Sequence, residues 1–542
     1  MHSTGLPPGG RTDFGAPGAD RVLDVGGDVQ LFCDDFLLTR GTAASRDYPV
    51  NIRFTPGNAV KDPAPVMLPG RAAPWETDGI YWVTVLHDGG RFRCWYNTGH
   101  TAQRDPRYPH QRPAREPGMV SQMMVAYAES DDGVSWRKPA LGLVEVDGST
   151  ANNIVLRGDI DRYAEGACVF IDPTAPPAER YRMLHRGRTP FGLRGAFSGD
   201  GLSWSLYPWG YNIPGLDTQN VANFDPALGR YVAYIRSNSL KRAGRDVGDR
   251  AVLPQGWGRS VARIETMHFD GPHPDWTQPE IVLAPDHEDG LDVDFYNGPW
   301  SPYRDLHLMF FSPYHHRSGR LDLQLAVSRD NRTWIRPTRM PLVANSDEPG
   351  AYDQFRIYAG PGILPASPDR PAGPDRVALY TRTGQGPHNG AVDASYTPGP
   401  WRAAGLRDGE TPSDGAMGRV TFGRDRFVGI EAGSELGIFA TREISFAGRR
   451  LTVNAEPTGP EPELRVQVVR GDTTPAAGSF PRHDGPPIED LTFDRCRPLS
   501  ADALDAPVTW DGGASLGAWA GTPVRLQFHL RHMRIYGFRF VE

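Results

Sequence analysis

Three segments of this chain share one spelling: "SDDGVSW" at Ser130–Trp136, "SGDGLSW" at Ser198–Trp204 and "SRDNRTW" at Ser328–Trp334. The common form is S-x-D-x-x-x-W. A motif that recurs at a fixed distance constrains a fold more than any single segment, because each copy must be one structural unit packed on the next. Two degenerate copies complete the series. "FDGPHPDW" ends at Trp276, and "SYTPGPW" ends at Trp401 with Ser395 and Thr397 at the motif positions. The five tryptophans are 68, 72, 58 and 67 residues apart, a period of about 66.

Each period has the same interior. A short apolar strand precedes a second one: "RFRCWY", "RYRMLHRG", "RYVAYIRS", "LHLMFFSPY" and "RVALYTRTG". A third strand runs into the motif, as in "MMVAYAESDDGVSW". The runs are short, β-rich and separated by Gly, Pro and Asp, with almost no helical period. The 62 Gly and 51 Pro are spread along the chain, which fits many turns rather than one unstructured tail. Ser and Asp of the motif suit a tight turn, where their side chains bond nearby backbone. Four strands per unit in a radial array predict a five-bladed β-propeller over residues 21–405. An array of β-sandwiches is the structural rival.

Beyond residue 415 the motif stops and plain alternation takes over, in "RLTVNAEP", "ELRVQVV", "PVRLQFHL" and "MRIYGFRF". Residues 415–542 are therefore expected to form a separate antiparallel β-sandwich, with the linker between Ala403 and Ala416. The expected class is all-β. Residues 1–20 read as a disordered leader, since they lack an apolar segment of signal-peptide type. The stretch "VQLFCDDFLL" reads as an ordered strand that could close the ring with the last blade.

The net charge of -7 is mild and no basic stripe appears, which argues against a nucleic-acid partner. No run of about 18 apolar residues exists to span a membrane. Cys33, Cys94, Cys168 and Cys496 are far apart, form no C-x-x-C, and read as buried thiols of a reducing compartment, hence a cytoplasmic location. No phosphate loop, zinc motif or nucleophile elbow is present, so no cofactor is expected. The sequence leaves the oligomeric state open.

In a propeller the inner strands converge on one channel, and residues at their starts ring one mouth. Each repeat places a carboxylate there: Glu76 and Asp78, then Glu165, Asp217, Asp292 with Asp294, and Asp353. Converging carboxylates shift one another's pKa and separate acid from base roles, as glycoside cleavage requires. The expected partner is a small carbohydrate or glycoside. Tyr314 and His315 of "YHHR" could line the same mouth. Adjacent histidines point to opposite faces of a strand, so no metal site is expected. Arg236, Arg259, Arg356 and Arg382 could bind a carboxylate bidentately, although their plainer reading is as surface salt-bridge arginines. Of Trp82, Trp95, Trp257 and Trp300, the last two, beside Gly or Pro, are the better candidates for stacking on a sugar.

The S-x-D-x-x-x-W turn resembles the S-x-D-L-x-x-W turn of five-bladed propeller glycosidases, the invertase/fructanase and arabinanase/xylosidase group. The sialidase turn is one residue longer. The chain is nearest to uncharacterised bacterial proteins similar to the invertase N-terminal domain. Members of the invertase type also carry a C-terminal β-sandwich. The group's first catalytic Asp lies in W-x-N-D, matched by "WETD" at Trp75–Asp78 with Thr77 in place of Asn. Its second, in R-D-P, is matched in position by Asp217 in "LDTQ", without the Arg or Pro. Its acid, a Glu in E-C, is matched in position by Asp294 in "DVDFYN". The resemblance implies that Asp78 is nucleophile or base, that Asp294 is proton donor, and that Asp217 holds sugar hydroxyls in the transition state. Phe295 and Tyr296 would desolvate Asp294 and raise its pKa. The expected activity is that of a glycoside hydrolase. The alternatives are a non-catalytic carbohydrate-binding propeller and a biosynthetic enzyme that runs a non-hydrolytic reaction in the same pocket.

Overall fold

The computed structural model describes residues 22–39, 49–70, 73–76, 79–103, 112–113, 117–158, 163–188, 191–211, 216–237, 258–270, 275–290, 292–366, 375–388, 415–471 and 486–542. These residues are all-β: strands joined by turns and short 3-10 segments, with no α-helix among them. No helix among them is long and apolar enough to cross a membrane. All four cysteines are buried and none is in a disulfide. The chain divides into two compact units. One comprises residues 59–334 and 341–421, the other 1–58, 335–340 and 422–542.

The repeat-bearing unit contains five successive sets of antiparallel strands. The first is Val83–Asp88, Arg91–Gln103, Met119–Ser130 and Ile154–Leu156, and the second Glu165–Ile171, Tyr181–Arg188, Phe191–Ser198 and Ser205–Tyr211. The third is Val221–Asp225, Arg230–Ser237, Ser260–Thr266 and Glu280–Leu283. In the fourth, Val293–Tyr296 and Trp300–Tyr303 both pair with Leu306–His315, which pairs onward with Gln324–Ser328. The fifth runs Arg356–Ala359, Arg376–Gly384, Gly415–Gly423 and then Val60–Lys61 from the start of the unit. A parallel pairing of Leu321 with Arg356 joins the fourth and fifth sets into one sheet.

The repeated motif works as its chemistry suggests. Ser130 Oγ accepts from Gly133 N at 2.8 Å, and Asp132 Oδ1 accepts from Val134 N at 2.8 Å and Ser135 N at 2.7 Å. Ser198 with Asp200 does the same, and Asp330 accepts from Arg332 N and Thr333 N. Each turn then presents one backbone carbonyl to an aromatic donor of another set. Trp95 Nε1 donates to Gly201 O at 2.7 Å, Tyr234 Oη to Asn331 O at 2.7 Å, and Tyr380 Oη to Gly133 O at 2.8 Å. These carbonyls sit on residues at positive φ: Gly133 at 72°, Gly201 at 75° and Asn331 at 56°. A Cβ at Gly133 would lie 2.4 Å from the Tyr380 hydroxyl, so that turn needs glycine for both shape and space. Trp95, Tyr234 and Tyr380 hold the same place in their repeats, the fifth residue from Arg91, Arg230 and Arg376.

The inner strands are tied in the same cyclic order. Asn97 links the first set to the second through Ala164 O and Ala167 N, and Gln219 Nε2 reaches Ala167 O from the third. Phe295 N bonds Arg259 O, and Ser312 Oγ bonds Ile357 O. Gly360 completes the circuit: a Cβ there would lie 2.5 Å from Val83 O.

In the second unit, a five-stranded and a six-stranded sheet share one apolar core that includes Phe32, Phe439, Leu464, Phe528 and Phe538. This corrects the reading of the N-terminal strand. Leu23–Gly26 pairs in parallel with Ile444–Phe446, and Gln30–Leu31 pairs with Met533–Val541, so neither joins the fifth set. The short strand Val60–Lys61 does that instead, and Lys61 is fixed by an ion pair to Asp353. The division between units falls near residue 421, because Gly415–Gly423 still belongs to the fifth set. The expected leader, most of the expected linker and the fifth motif ending at Trp401 lie outside the described residues.

If the aromatic-to-turn bonds hold the strand sets together, Tyr380→Phe leaves a buried carbonyl without its donor. Urea unfolding should show a loss of about 1–3 kcal/mol. Tyr211→Phe, which removes an exposed bond to Thr277 O, should show almost none.

Candidate active site

Alternation places the side chains of Val293–Tyr296. Val293 and Phe295 enter an apolar core, which turns Asp294 and Tyr296 to the other face. Asp294 is only 1% exposed. Its Oδ1 accepts from Arg259 N at 3.1 Å, and its Oδ2 meets Arg259 Nη1 at 3.1 Å and His316 Nε2 at 3.0 Å. Burial pushes this carboxyl up, but the His316 bond and the Arg259 charge outweigh it and hold the pKa below its ordinary value. The expectation of a raised pKa is therefore corrected: Asp294 is a fixed, ionised carboxylate.

Around it stand aromatic rings and guanidinium groups. Arg259 lies over Tyr296 at 4.7 Å and Tyr314 at 5.7 Å. Arg236 lies 5.9 Å from the Tyr296 ring and pairs with Asp217, whose side chain is 53% exposed. Arg382 lies over Tyr81 at 4.8 Å, Tyr358 at 4.9 Å and Trp82 at 5.9 Å. Arg356 pairs across strands with Gly384, where a Cβ would lie 2.7 Å from Arg356 Nε.

His388 sits among these groups. Its Nε2 is 2.7 Å from Tyr296 Oη and its Nδ1 2.8 Å from Tyr358 Oη. The Tyr314 ring lies 4.7 Å away. Burial, then the charges of Arg356, Arg259, Arg382 and Arg236, push the imidazole pKa down to about 2. Burial and the neighbouring Arg259 bring Arg236 itself down to about 10. The geometry thus gathers four arginines, four tyrosines, Trp82, His316 and His388 about one ionised carboxylate.

The residues expected from sequence fare unequally. Asp217, Asp294, Tyr314, Arg236 and Arg356 come together here. Arg236, Arg259, Arg356 and Arg382 are not surface salt-bridge arginines: they are buried or half-buried and converge. Asp78 and Trp257 lie outside the described residues. Glu76 is engaged by Gly70 N, Tyr96 Oη and Lys138. Glu165 is held by Arg186 and Tyr163, and Asp353 by Lys61. Asp292 is half-buried beside Arg317. His315 faces Asp322 at 3.9 Å, and its neighbour His316 is the one on Asp294. Trp300 is corrected: it is 1% exposed and packs edge-on against Tyr234, so it offers no face to a sugar, whereas Trp82 stands beside Tyr358. No group of three or more metal-ligating side chains occurs among the described residues.

One signal in the repeats would have found two of the four arginines, Arg236 and Arg382. The seventh residue of the second strand, counted from Arg91, Arg180, Arg230, Leu306 and Arg376, is Asn97, Arg186, Arg236, Ser312 and Arg382. Where it is Asn or Ser, it ties the next inner strand. Where it is Arg, it reaches past the backbone to a carboxylate or an aromatic face.

No protein-family profile matches the chain, and no curated protein does. Solved structures similar to it include one titled "Glycoside hydrolase", 14% identical over 67% of this chain and 94% of that one, with a TM-score of 0.41. Another is a glycosyl hydrolase from Bacteroides ovatus, 11% identical over 69% of this chain and 96% of that one, TM-score 0.41. A third is the catalytic domain of a GH62 α-L-arabinofuranosidase from Coprinopsis cinerea, 11% identical over 68% of this chain and 97% of that one, TM-score 0.40.

A depressed folded pKa makes the His388 contribution to stability complete above the unfolded value of 6.5 and progressively lost below it, because only the unfolded chain takes up the proton. The ring nitrogens of His388 should keep neutral-imidazole chemical shifts from about pH 8 to about pH 5. Protonation within that range would contradict the geometry.

Proposed function

We propose that the five strand sets are the blades of a five-bladed propeller, that the second unit is a β-sandwich, and that the propeller cleaves a glycosidic bond at the cluster around Asp294. One observation carries this reading. A buried, ionised carboxylate is oriented by two fixed donors beside aromatic faces that suit a sugar ring. Hydrolysis breaks the bond between the anomeric carbon and the leaving oxygen; water supplies hydroxide to the carbon and a proton to the oxygen. The transition state carries positive charge on the ring, and a preoriented anion stabilises it without reorganising. That is the role we give Asp294, in place of proton donor. Asp217 keeps its place as holder of sugar hydroxyls, and Asp78 as nucleophile or base.

A non-hydrolytic reaction is the second reading. The chain of hydrogen bonds Tyr296–His388–Tyr358 favours it, since a neutral imidazole between two hydroxyls can take a proton at one end as it gives one at the other.

A panel of aryl glycosides and oligosaccharides tests both. The first reading expects released reducing sugar, and a fall in kcat of roughly 100-fold or more in Asp294→Asn with Tm little changed. Products that contain a new conjugated double bond would support the second. Wild-type turnover by Asp294→Asn on a confirmed substrate would overturn the role given to that carboxylate.

A further inference from the structure

The four arginines come from two strand sets and converge on His388. Arg236 and Arg259 belong to the third set, Arg356 and Arg382 to the fifth, and the fourth contributes Asp294, Tyr296 and Tyr314 between them. All four act on the His388 ring. Gathering like charges away from water is unfavourable unless something of opposite sign joins them. Two carboxylates do so here: Asp217 at Arg236 and Asp294 at Arg259.

Arg382 is the most informative. It is 5% exposed, it lies over the rings of Tyr81, Tyr358 and Trp82, and its buried Nε has no hydrogen-bond partner among the described residues. Stacking on a ring holds a guanidinium flat and leaves its N–H edge to point at a ligand. A flat fork of donors matches the oxygens of a carboxylate. Gly384 leaves room for a second such group, since a Cβ there would lie 2.7 Å from Arg356 Nε and 2.9 Å from its Nη2. Arg356 and Arg382 thus stand on neighbouring strands, two residues apart in register, beside the aromatic rings around Arg382.

We propose that this arginine cluster takes a saccharide bearing an oxyanion, foremost the carboxylate of a uronic acid, and that Arg356 and Arg382 grip that group. The inference rests on the glycoside-active reading of the same site and names its substrate class. The same oxyanion chemistry could be met by free inorganic phosphate, which the experiment separates.

The experiment is calorimetric titration of the full chain with matched pairs, methyl glucuronide against methyl glucoside and methyl galacturonide against methyl galactoside, alongside inorganic phosphate. The acid member of at least one pair should bind about tenfold or more tighter than its neutral partner, with the difference shrinking as salt rises. Arg382→Gln should remove most of that difference. So should Gly384→Ala, which displaces only the flexible end of Arg356. The wild-type comparison needs no variant, so a misfolded mutant leaves the test intact. Equal binding within every pair overturns the proposal. So does phosphate binding without any preference for acid sugars. Turnover of neutral glycosides with no acid preference would sink this inference and leave the glycosidase reading standing. Acid-sugar binding with no bond cleaved would do the reverse.

Discussion

The repeat-bearing unit depends on one interaction used three times: an aromatic donor in a second strand bonds the carbonyl at the head of an S-x-D turn in a neighbouring set. Trp95 on Gly201, Tyr234 on Asn331 and Tyr380 on Gly133 are the three copies, and the last brings the fifth set back to the first. Trp209 Nε1 on Phe269 O serves the second and third sets, where the motif is degenerate. Each bond removes a buried polar group from the unsatisfied count and fixes the rotation of one set against the next. With that rotation fixed, residues two places further along the second strand come inward together. Asn97 and Ser312 spend that position on backbone, while Arg236 and Arg382 carry charge toward His388.

The charge then dictates the rest of the site. Burial, and then the charge of four guanidinium groups, push the His388 pKa far down, so the ring is a neutral hydrogen-bonding bridge between Tyr296 and Tyr358. A carboxylate beside Arg259 and His316 cannot readily hold one, so Asp294 is an anion despite its burial. The same burial that would raise an isolated carboxyl is overridden by two close donors. The arrangement separates a strongly positive aromatic side from a single buried negative group.

The all-β class was legible because its signals are local. Ser and Asp at fixed offsets make a turn by bonding their own backbone, and the spacing of the turns marks the units. The pairing of Leu23–Gly26 with Ile444–Phe446 was not legible, since parallel pairing across more than four hundred residues leaves no short-range trace. Searching one register for acids reached Asp294 and Asp217, which stand beside the arginine cluster, but also Glu76 and Asp353, which are ion-paired to Lys138 and Lys61. A carboxylate's type and position do not say which cation will reach it. His316 and His388 were missed because each follows the end of a strand, where its direction is set by packing rather than by alternation. Trp300 misled because a neighbouring proline suggested a loop, whereas the ring is core.

The convergence of Arg236, Arg259, Arg356 and Arg382 about His388 is, on this proposal, a binding site rather than a structural knot. A crystal structure of the chain soaked with a methyl uronide tests it most directly. Density for the sugar is expected at this cluster, its carboxylate within hydrogen-bond distance of Arg356 and Arg382 and its ring against Trp82 or Tyr314. A uronide bound elsewhere, or seated here with its carboxylate turned away from both arginines, would contradict it.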